Sequence, residues 1–290
     1  MIYLIKKFAF RLLGRRTAYR LGRALYMYAR GELANDMNTN GEIFIQKCVL
    51  KALKHNPPSR YPVFFDVGAN VGNWSTALLR NAKEHSLEEQ VRIYAFEPVP
   101  ATVEALKLNL AYPRPNLHIE TTAFSFGRGE ADIFIFSATT GTNSLYEDHK
   151  SNNKTKITIL LDTATDFCKT MNIEHVHLLK CDTEGHDMEV IRGSLPLLVD
   201  ERISILQFEY NHRWIYSRNS LRDVFDIIQS LPYVVAKLQP DHVIVFDRWH
   251  PELDRFFDGN YALIHSEAMS WIPHLYAEFD RWNSVSIARK

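Results

Sequence analysis

The sequence predicts a single α/β domain, a mostly parallel twisted sheet with helices on both faces, preceded by a basic N-terminal helical extension. Three observations predict it. From residue 42 onward, short apolar runs alternate with segments of helical spacing, the pattern of parallel strands joined by crossover helices. Four of those runs end at an acidic residue: Asp66, Glu97, Asp182 and Glu209. The first is followed at once by a turn bearing Gly68 and Gly72.

The elements follow in order. Residues 42–54 have a loose apolar side and read as a helix, ended by Asn56-Pro57-Pro58-Ser59. Val63-Phe64-Phe65 is the first strand, and residues 74–82 resume helical spacing. Residues 91–96 form the second strand, and Val103, Leu106 and Leu110 mark a helix that stops before Pro113. Residues 117–125 read as one third strand, with a turn at Phe126-Gly127-Arg128-Gly129 leading to residues 131–136 as its hairpin partner. Residues 155–161 are a strand before a helix beginning near Asp162. Residues 175–181 run into Asp182 and a helix with Met188, Val190 and Ile191. Residues 203–208 end at Glu209, and Ser220-x-x-Asp223 is a capping-box start for the next helix. Residues 233–238, 242–246 and 261–265 close the sheet as strands. No linker, repeat or low-complexity stretch interrupts this series, so the domain is expected over 41–290 and the extension over 1–40.

Composition agrees with a globular chain. Of 290 residues, 46% are hydrophobic and 23% charged, enough to bury a core without staples. The cysteines, Cys48, Cys168 and Cys181, are odd in number and lack metal-ligand spacing, so a reduced, cytoplasmic setting is expected. The net charge is zero, but residues 1–31 hold eight Lys or Arg and no acid. With 34 charges of each sign overall, the remainder carries 26 basic against 34 acidic residues, a net −8. No apolar run near the N-terminus is long enough to span a bilayer. A basic helix lying peripherally on the inner face of an anionic membrane through residues 1–30 is one reading of this segment. A helix packed on the domain with a solvated basic face is the other.

Ligands of open α/β sheets bind beyond the carboxyl ends of the strands. There, Asp66 offers a negative charge suited to a cationic ammonium or sulfonium, and Gly68 and Gly72 allow close backbone approach. Glu97, at the next strand tip, can accept both hydroxyls of a ribose. A plain capped turn and a solvated surface acid are the alternatives for these two features.

The runs 65–72 (Phe-Asp-Val-Gly-Ala-Asn-Val-Gly) and 95–100 (Ala-Phe-Glu-Pro-Val-Pro) resemble the FkbM-type family of S-adenosylmethionine-dependent methyltransferases. The likeness continues at 140–145 (Thr-Gly-Thr-Asn-Ser-Leu) and 161–163, is strongest at 179–187 (Leu-Lys-Cys-Asp-Thr-Glu-Gly-His-Asp), and extends to 207–211 and 260–262. The resemblance implies a Rossmann-like class I methyltransferase fold with S-adenosyl-L-methionine across the first strand tips. Asp66, Gly68, Asn70 and Gly72 would hold its methionine end, Glu97 its ribose, and Ala123 and Phe124 would border the adenine. Asp182 would sit beside the methyl group. The first 40 residues lie outside the resemblance.

A sulfonium methyl group is already electrophilic, so the chain need only align an acceptor and remove its proton. His186, whose ordinary pKa is about 6.5, is the natural base at neutral pH. Asp182 and Glu184 are the other catalytic candidates, although Glu184 could equally cap a helix. Glu209, Asn211 and His212 are candidates for the acceptor pocket. The resemblance points to O-methylation of a sugar, glycolipid, polysaccharide or other natural-product hydroxyl. Nucleic acid is not expected as a partner, because the domain is acidic and Asp182-Thr183-Glu184-Gly185 replaces the Asn/Asp-Pro-Pro-aromatic turn of amine-methylating enzymes. No metal is expected, since no ligand spacing demands one. Two competing readings are a nicotinamide oxidoreductase, opposed by the missing third glycine after Gly72, and an inactive membrane-associated binding protein, opposed by the intact acids.

Overall fold

A computed structural model of the chain describes residues 2–32, 34–135, 145–146 and 155–288, with side chains from residue 14 onward. In chain order it contains α1 (Ile2–Ala29), α2 (Glu42–His55), β1 (Val63–Val67), α3 (Asn73–Glu84), β2 (Arg92–Phe96), α4 (Pro100–Asn109), β3 (Leu117–Glu120) and β4 (Thr122–Phe124). There follow β5 (Gly129–Ile135), β6 (Thr155–Asp162), α5 (Ala164–Thr170), β7 (Leu178–Cys181), α6 (Asp187–Gly193), α7 (Leu195–Val199), β8 (Ile205–Tyr210) and α8 (Leu221–Ile228). The chain ends with β9 (Tyr233–Leu238), β10 (Val243–Phe246), β11 (Gly259–His265), β12 (His274–Phe279) and β13 (Val285–Ala288). The 140–144 part of the family-like segment, and residue 136, lie outside the described residues.

The main sheet has the order β13-β12-β10-β9-β11-β8-β7-β1-β2-β3. Its five strands from β3 to β8 are all parallel, and β11 inserts antiparallel between β8 and β9. This is the Rossmann-like class I arrangement expected. Strand alternation sorts β1 between two cores. Phe65 and Val67 pack with Phe96, Phe167 and Met188 on one face, and Phe64 packs with Ile45, Leu78 and Ile205 on the other. Local signals position the crossover helices. Pro100 lies in the first turn of α4, Thr163 caps α5 by accepting from the Asp166 N–H, and Ser220 with Asp223 forms the capping box of α8.

Three expectations change. The single strand expected over 117–125 is two strands in different sheets: β3 extends the main sheet, whereas β4 joins a separate three-stranded sheet, β4-β6-β5. The strand expected as a hairpin partner of that segment, β5, pairs instead with β6. Intervening segments decide such pairings, and local alternation cannot see them. β12 and β13, which extend the far edge, carry no clear sequence signal because their residues are mostly half-buried or exposed and mixed in polarity.

Candidate active site

The chain runs outward from β1 through β2 to β3, then returns to place β7 on the other side of β1. This is the switch point at which open α/β sheets bind ligands. Two adjoining cavities open there, and both are walled by Gly68, Asn70 and Asp182.

The first, about 70 Å³, is a narrow slot. Phe96 and Phe124 from the strand tips, Ile133 and Ile159 from the small sheet, and Leu145 give it apolar walls. Ala123, Glu97 and His186 also line it. The Glu97 carboxylate is anchored by two backbone N–H groups, from Asn70 and Val99, each at 3.0 Å. Burial pushes its pKa up to about 7 despite those donors. One oxygen lone pair on each side stays free for a hydroxyl, so a nucleoside with its base against the apolar walls and its ribose on Glu97 suits the slot.

The second cavity, about 650 Å³, is polar and more open. Asn70, Asn73 and Arg80 line it from the turn and α3, Asn35 and Asn38 from the arm between α1 and α2, and Lys180 and Asp182 from β7 and its tip.

Depth along the strand decides which acids reach these cavities, Glu97 and Asp182 lying one residue beyond their strands and Asp66 inside its own. Asp66 and Lys180 are cross-strand partners on the face toward α3, and Gln207 is the next residue in the same row. Asp66 is fully buried below the turn, accepts from Ser75 Oγ at 2.7 Å and faces Lys180 Nζ at 3.5 Å. It lines neither cavity and is the counterion of Lys180, lying below the turn expected at the methionine end. Burial would strip the Lys180 proton, but Asp182, Asp66 and Glu42 outweigh that and hold the ammonium charged, its pKa raised. Lys180 Nζ also lies 3.4 Å from Asp182 Oδ2 and orients that carboxylate between the cavities. The sequence reading missed Lys180, though a charged residue inside an apolar strand run is a legible signal.

The glycines divide too. A Cβ on Gly68, where φ is +78°, would lie 2.0 Å from the Asp182 carbonyl oxygen, so this glycine lets two loops touch beside the cavities. Gly72 is not among the residues lining either cavity: a Cβ there would lie 2.6 Å from Leu106 Cδ1, so this glycine lets α3 pack closely on α4.

His186 lines the slot, but its surroundings differ from those expected of a titrating base. Nε2 lies 3.0 Å from Ser125 Oγ and Nδ1 3.0 Å from Tyr146 Oη, and burial lowers its pKa to about 4. It is neutral at physiological pH with both ring nitrogens engaged. Glu184 pairs with Arg213 at 2.9 Å, yet burial, reinforced by Asp182, raises its pKa to about 8. Its φ of 56° and that of Asn70, 49°, place two non-glycine residues in the left-handed region beside the cleft, a strain of about 1–3 kcal/mol each that clusters at functional sites.

The expected acceptor residues are not on the cavity walls. Glu209 is buried, and Asn35 and Asn211 donate to its two oxygens at 2.7 and 2.8 Å. Asn211 also accepts from the Arg213 N–H. His212 is exposed and lies 3.9 Å from Asp258. Position after β8 is therefore not enough to reach the cleft, because the N-terminal arm covers that strand tip. The arm is held by Glu32 pairing with buried Lys237 and by Asn40, which donates to Glu42 at 2.7 Å. Among the described residues no cluster of His, Cys, Asp or Glu has metal-binding geometry.

A methyltransferase FkbM domain matches residues 66–235. Methyltransferase 1 of Beauveria bassiana is 26% identical over 69% of this chain and 82% of its own length. The methyltransferase sdnD of Sordaria araneosa is 27% identical over 68% and 78%. The hexuronic acid methyltransferase AglP of Haloferax volcanii is 22% identical over 64% and 70%. Among solved structures, Aeropyrum pernix fibrillarin with bound S-adenosyl-L-methionine overlaps with a TM-score of 0.37 at 13% identity, covering 76% of each chain. With its domain matched over the strands that build the cleft, the chain belongs to the FkbM methyltransferase family and is an S-adenosylmethionine-dependent methyltransferase.

Proposed function

We propose that the protein methylates a hydroxyl group of a sugar or glycan acceptor seated in the larger cavity. The observation that carries this reading is the pairing of an apolar-walled slot bearing Glu97 with a larger polar cavity across one shared carboxylate, Asp182. Amide side chains, the carboxylates Asp36, Glu42 and Asp182 and the cations Lys180 and Arg80 line the cavity, the donors and acceptors that a polyhydroxylated sugar needs, with exposed Arg80 the group to meet a uronic carboxylate. The likeness to a hexuronic acid methyltransferase supports the same class.

When bound, S-adenosylmethionine supplies a methyl group made electrophilic by its sulfonium. With that donor bound, Glu97 would accept the ribose hydroxyls, and Gly68 and Asn70 would border the methionine portion. Asp182, oriented by Lys180, accepts a hydrogen bond from the acceptor hydroxyl and takes its proton as that oxygen is methylated. Positioning of this kind is worth roughly 7–11 kcal/mol, and general-base assistance about 10²–10⁴-fold. His186, neutral and doubly hydrogen-bonded, shapes the slot wall instead of taking the proton.

The test is incubation with a trideuteromethyl donor and a panel of neutral and uronic-acid glycans, read by mass spectrometry with linkage analysis. Label on a sugar oxygen supports the proposal. Label only on nitrogen or on protein, with every glycan unmodified, overturns it. Arg80→Ala should weaken uronic acids more than neutral sugars, at unchanged donor affinity.

A further inference from the structure

The part of α1 beyond Gly14 presents two faces of opposite fate. Arg23, Tyr26 and Arg30 dock on the domain. Tyr26 donates to Glu252 at 2.5 Å, Arg30 pairs with the same carboxylate at 2.9 Å, and Arg23 and Arg30 sit over the Phe257 ring at 5.5 and 5.8 Å. Leu21, Leu25 and Tyr28, spaced i, i+4, i+7, project from the other side and are 50%, 61% and 87% exposed. That spacing makes one continuous apolar ridge. Arg15, Arg16 and Arg20 are exposed, and among the described residues none pairs with a carboxylate. The preceding stretch adds Lys6, Lys7 and Arg11 between Ile2, Leu4, Ile5, Phe8 and Phe10, with no acid anywhere in residues 1–31.

We propose that this outer face of α1 binds the surface of an anionic phospholipid bilayer, with the Leu21–Leu25–Tyr28 ridge entering the acyl boundary and the arginines meeting lipid phosphates. Charge chooses the occupant. Beyond the two arginines that dock on the domain, a ridge meant for a protein core has no need of six further cations unaccompanied by any acid, whereas a leaflet of anionic headgroups needs both the apolar and the cationic component. The helix lies on the surface: no helix among the described residues is long and apolar enough to cross a membrane. Because the docked face ties α1 to the domain, and the arm that follows lines the larger cavity through Asn35 and Asn38, such binding holds the cavity close to the lipid surface. The proposal stands apart from the choice of methyl acceptor.

The test is co-sedimentation of the full chain with vesicles of phosphatidylcholine alone or of phosphatidylcholine mixed with phosphatidylglycerol. Sedimentation with the mixed vesicles only, weakened by salt, is the expected result. Arg15→Glu with Arg20→Glu, and separately Leu21→Ser with Leu25→Ser, should each reduce partitioning by roughly tenfold or more. Since all four side chains are exposed, affinity for S-adenosylhomocysteine should not change, and that measurement confirms folding. Equal binding to neutral vesicles, no binding to either, or partitioning insensitive to both double variants overturns the proposal. So does a lipid-free dimer in sedimentation velocity that Leu21→Ser with Leu25→Ser abolishes, because the ridge would then belong to a second copy.

Discussion

Glu97 and Lys180 are two charged side chains that the fold treats in opposite ways. Glu97 keeps its carboxylate at the slot wall with a pKa near 7, so a donor whose hydroxyls need an anionic acceptor meets a group that ionises within the physiological range. The folded pKa is raised above the ordinary carboxylate value, so the anion is the minor form below about pH 7 and the major form above it. Affinity for S-adenosylhomocysteine should therefore rise as pH increases through 7. In Glu97→Gln the affinity should fall roughly 10- to 100-fold and lose that dependence. If calorimetry on the Glu97→Gln variant still showed the pH dependence, the titration would belong to another group. Lys180 is different, because its loss strands Asp66 without a cation in the core. Lys180→Met should cost about 3–5 kcal/mol in denaturant unfolding, and a loss below about 1 kcal/mol would mean that Ser75 suffices for Asp66. These residues also mark the limits of reading the sequence. Acids at strand tips were visible, but whether one faces a ligand depends on whether it lies inside the strand or just beyond its end, a matter of one or two residues. Asp66 lies one residue before the end of β1 and turns toward α3, whereas Glu97 lies one residue beyond the end of β2 and turns toward the slot.

Whole elements divide between those with local signals and those decided by distant partners. The parallel strands and their helices were legible because each has its own signal: apolar runs, a proline in a first turn, a capping box. The split between β3 and β4 was not, since it depends on β6, which lies more than thirty residues on in the chain and supplies the partner for β4 (Ala123 opposite Leu161). The glycine turn between β1 and α3 gives a comparison within one loop. Gly68→Ala would drive a methyl group into the Asp182 backbone and should abolish methyl transfer while weakening donor binding. Gly72→Ala would press on the flexible ends of Leu106 and Leu110 at a positive φ, and should destabilise the protein by about 1–3 kcal/mol with donor affinity retained. Equal effects of the two substitutions on donor affinity would contradict this division.

For the whole molecule, the arm joining α1 to the domain separates two functions. Removing residues 1–29 deletes the basic helix but spares the Glu32–Lys237 and Asn35–Glu209 contacts, so donor binding and thermal stability should be nearly unchanged. Removing residues 1–41 leaves Lys237 and Glu209 without these partners, and a cooperative loss of several degrees in melting temperature is expected. Identical melting curves for the two truncations would show that the arm is not structural. The arrangement of the two sheets has a further consequence for chemistry. The apolar walls of the slot come from both sheets, Phe96 from the large one and Phe124, Ile133 and Ile159 from the small β4-β6-β5 sheet, whereas Glu97 and Asp182 belong to the large one. The wall that Ile133 and Ile159 set against the donor's base is thus carried apart from the groups that meet its methyl group. Trimming Ile133 or Ile159 to alanine gives a route to accept donors with enlarged purines, leaving the transfer chemistry untouched.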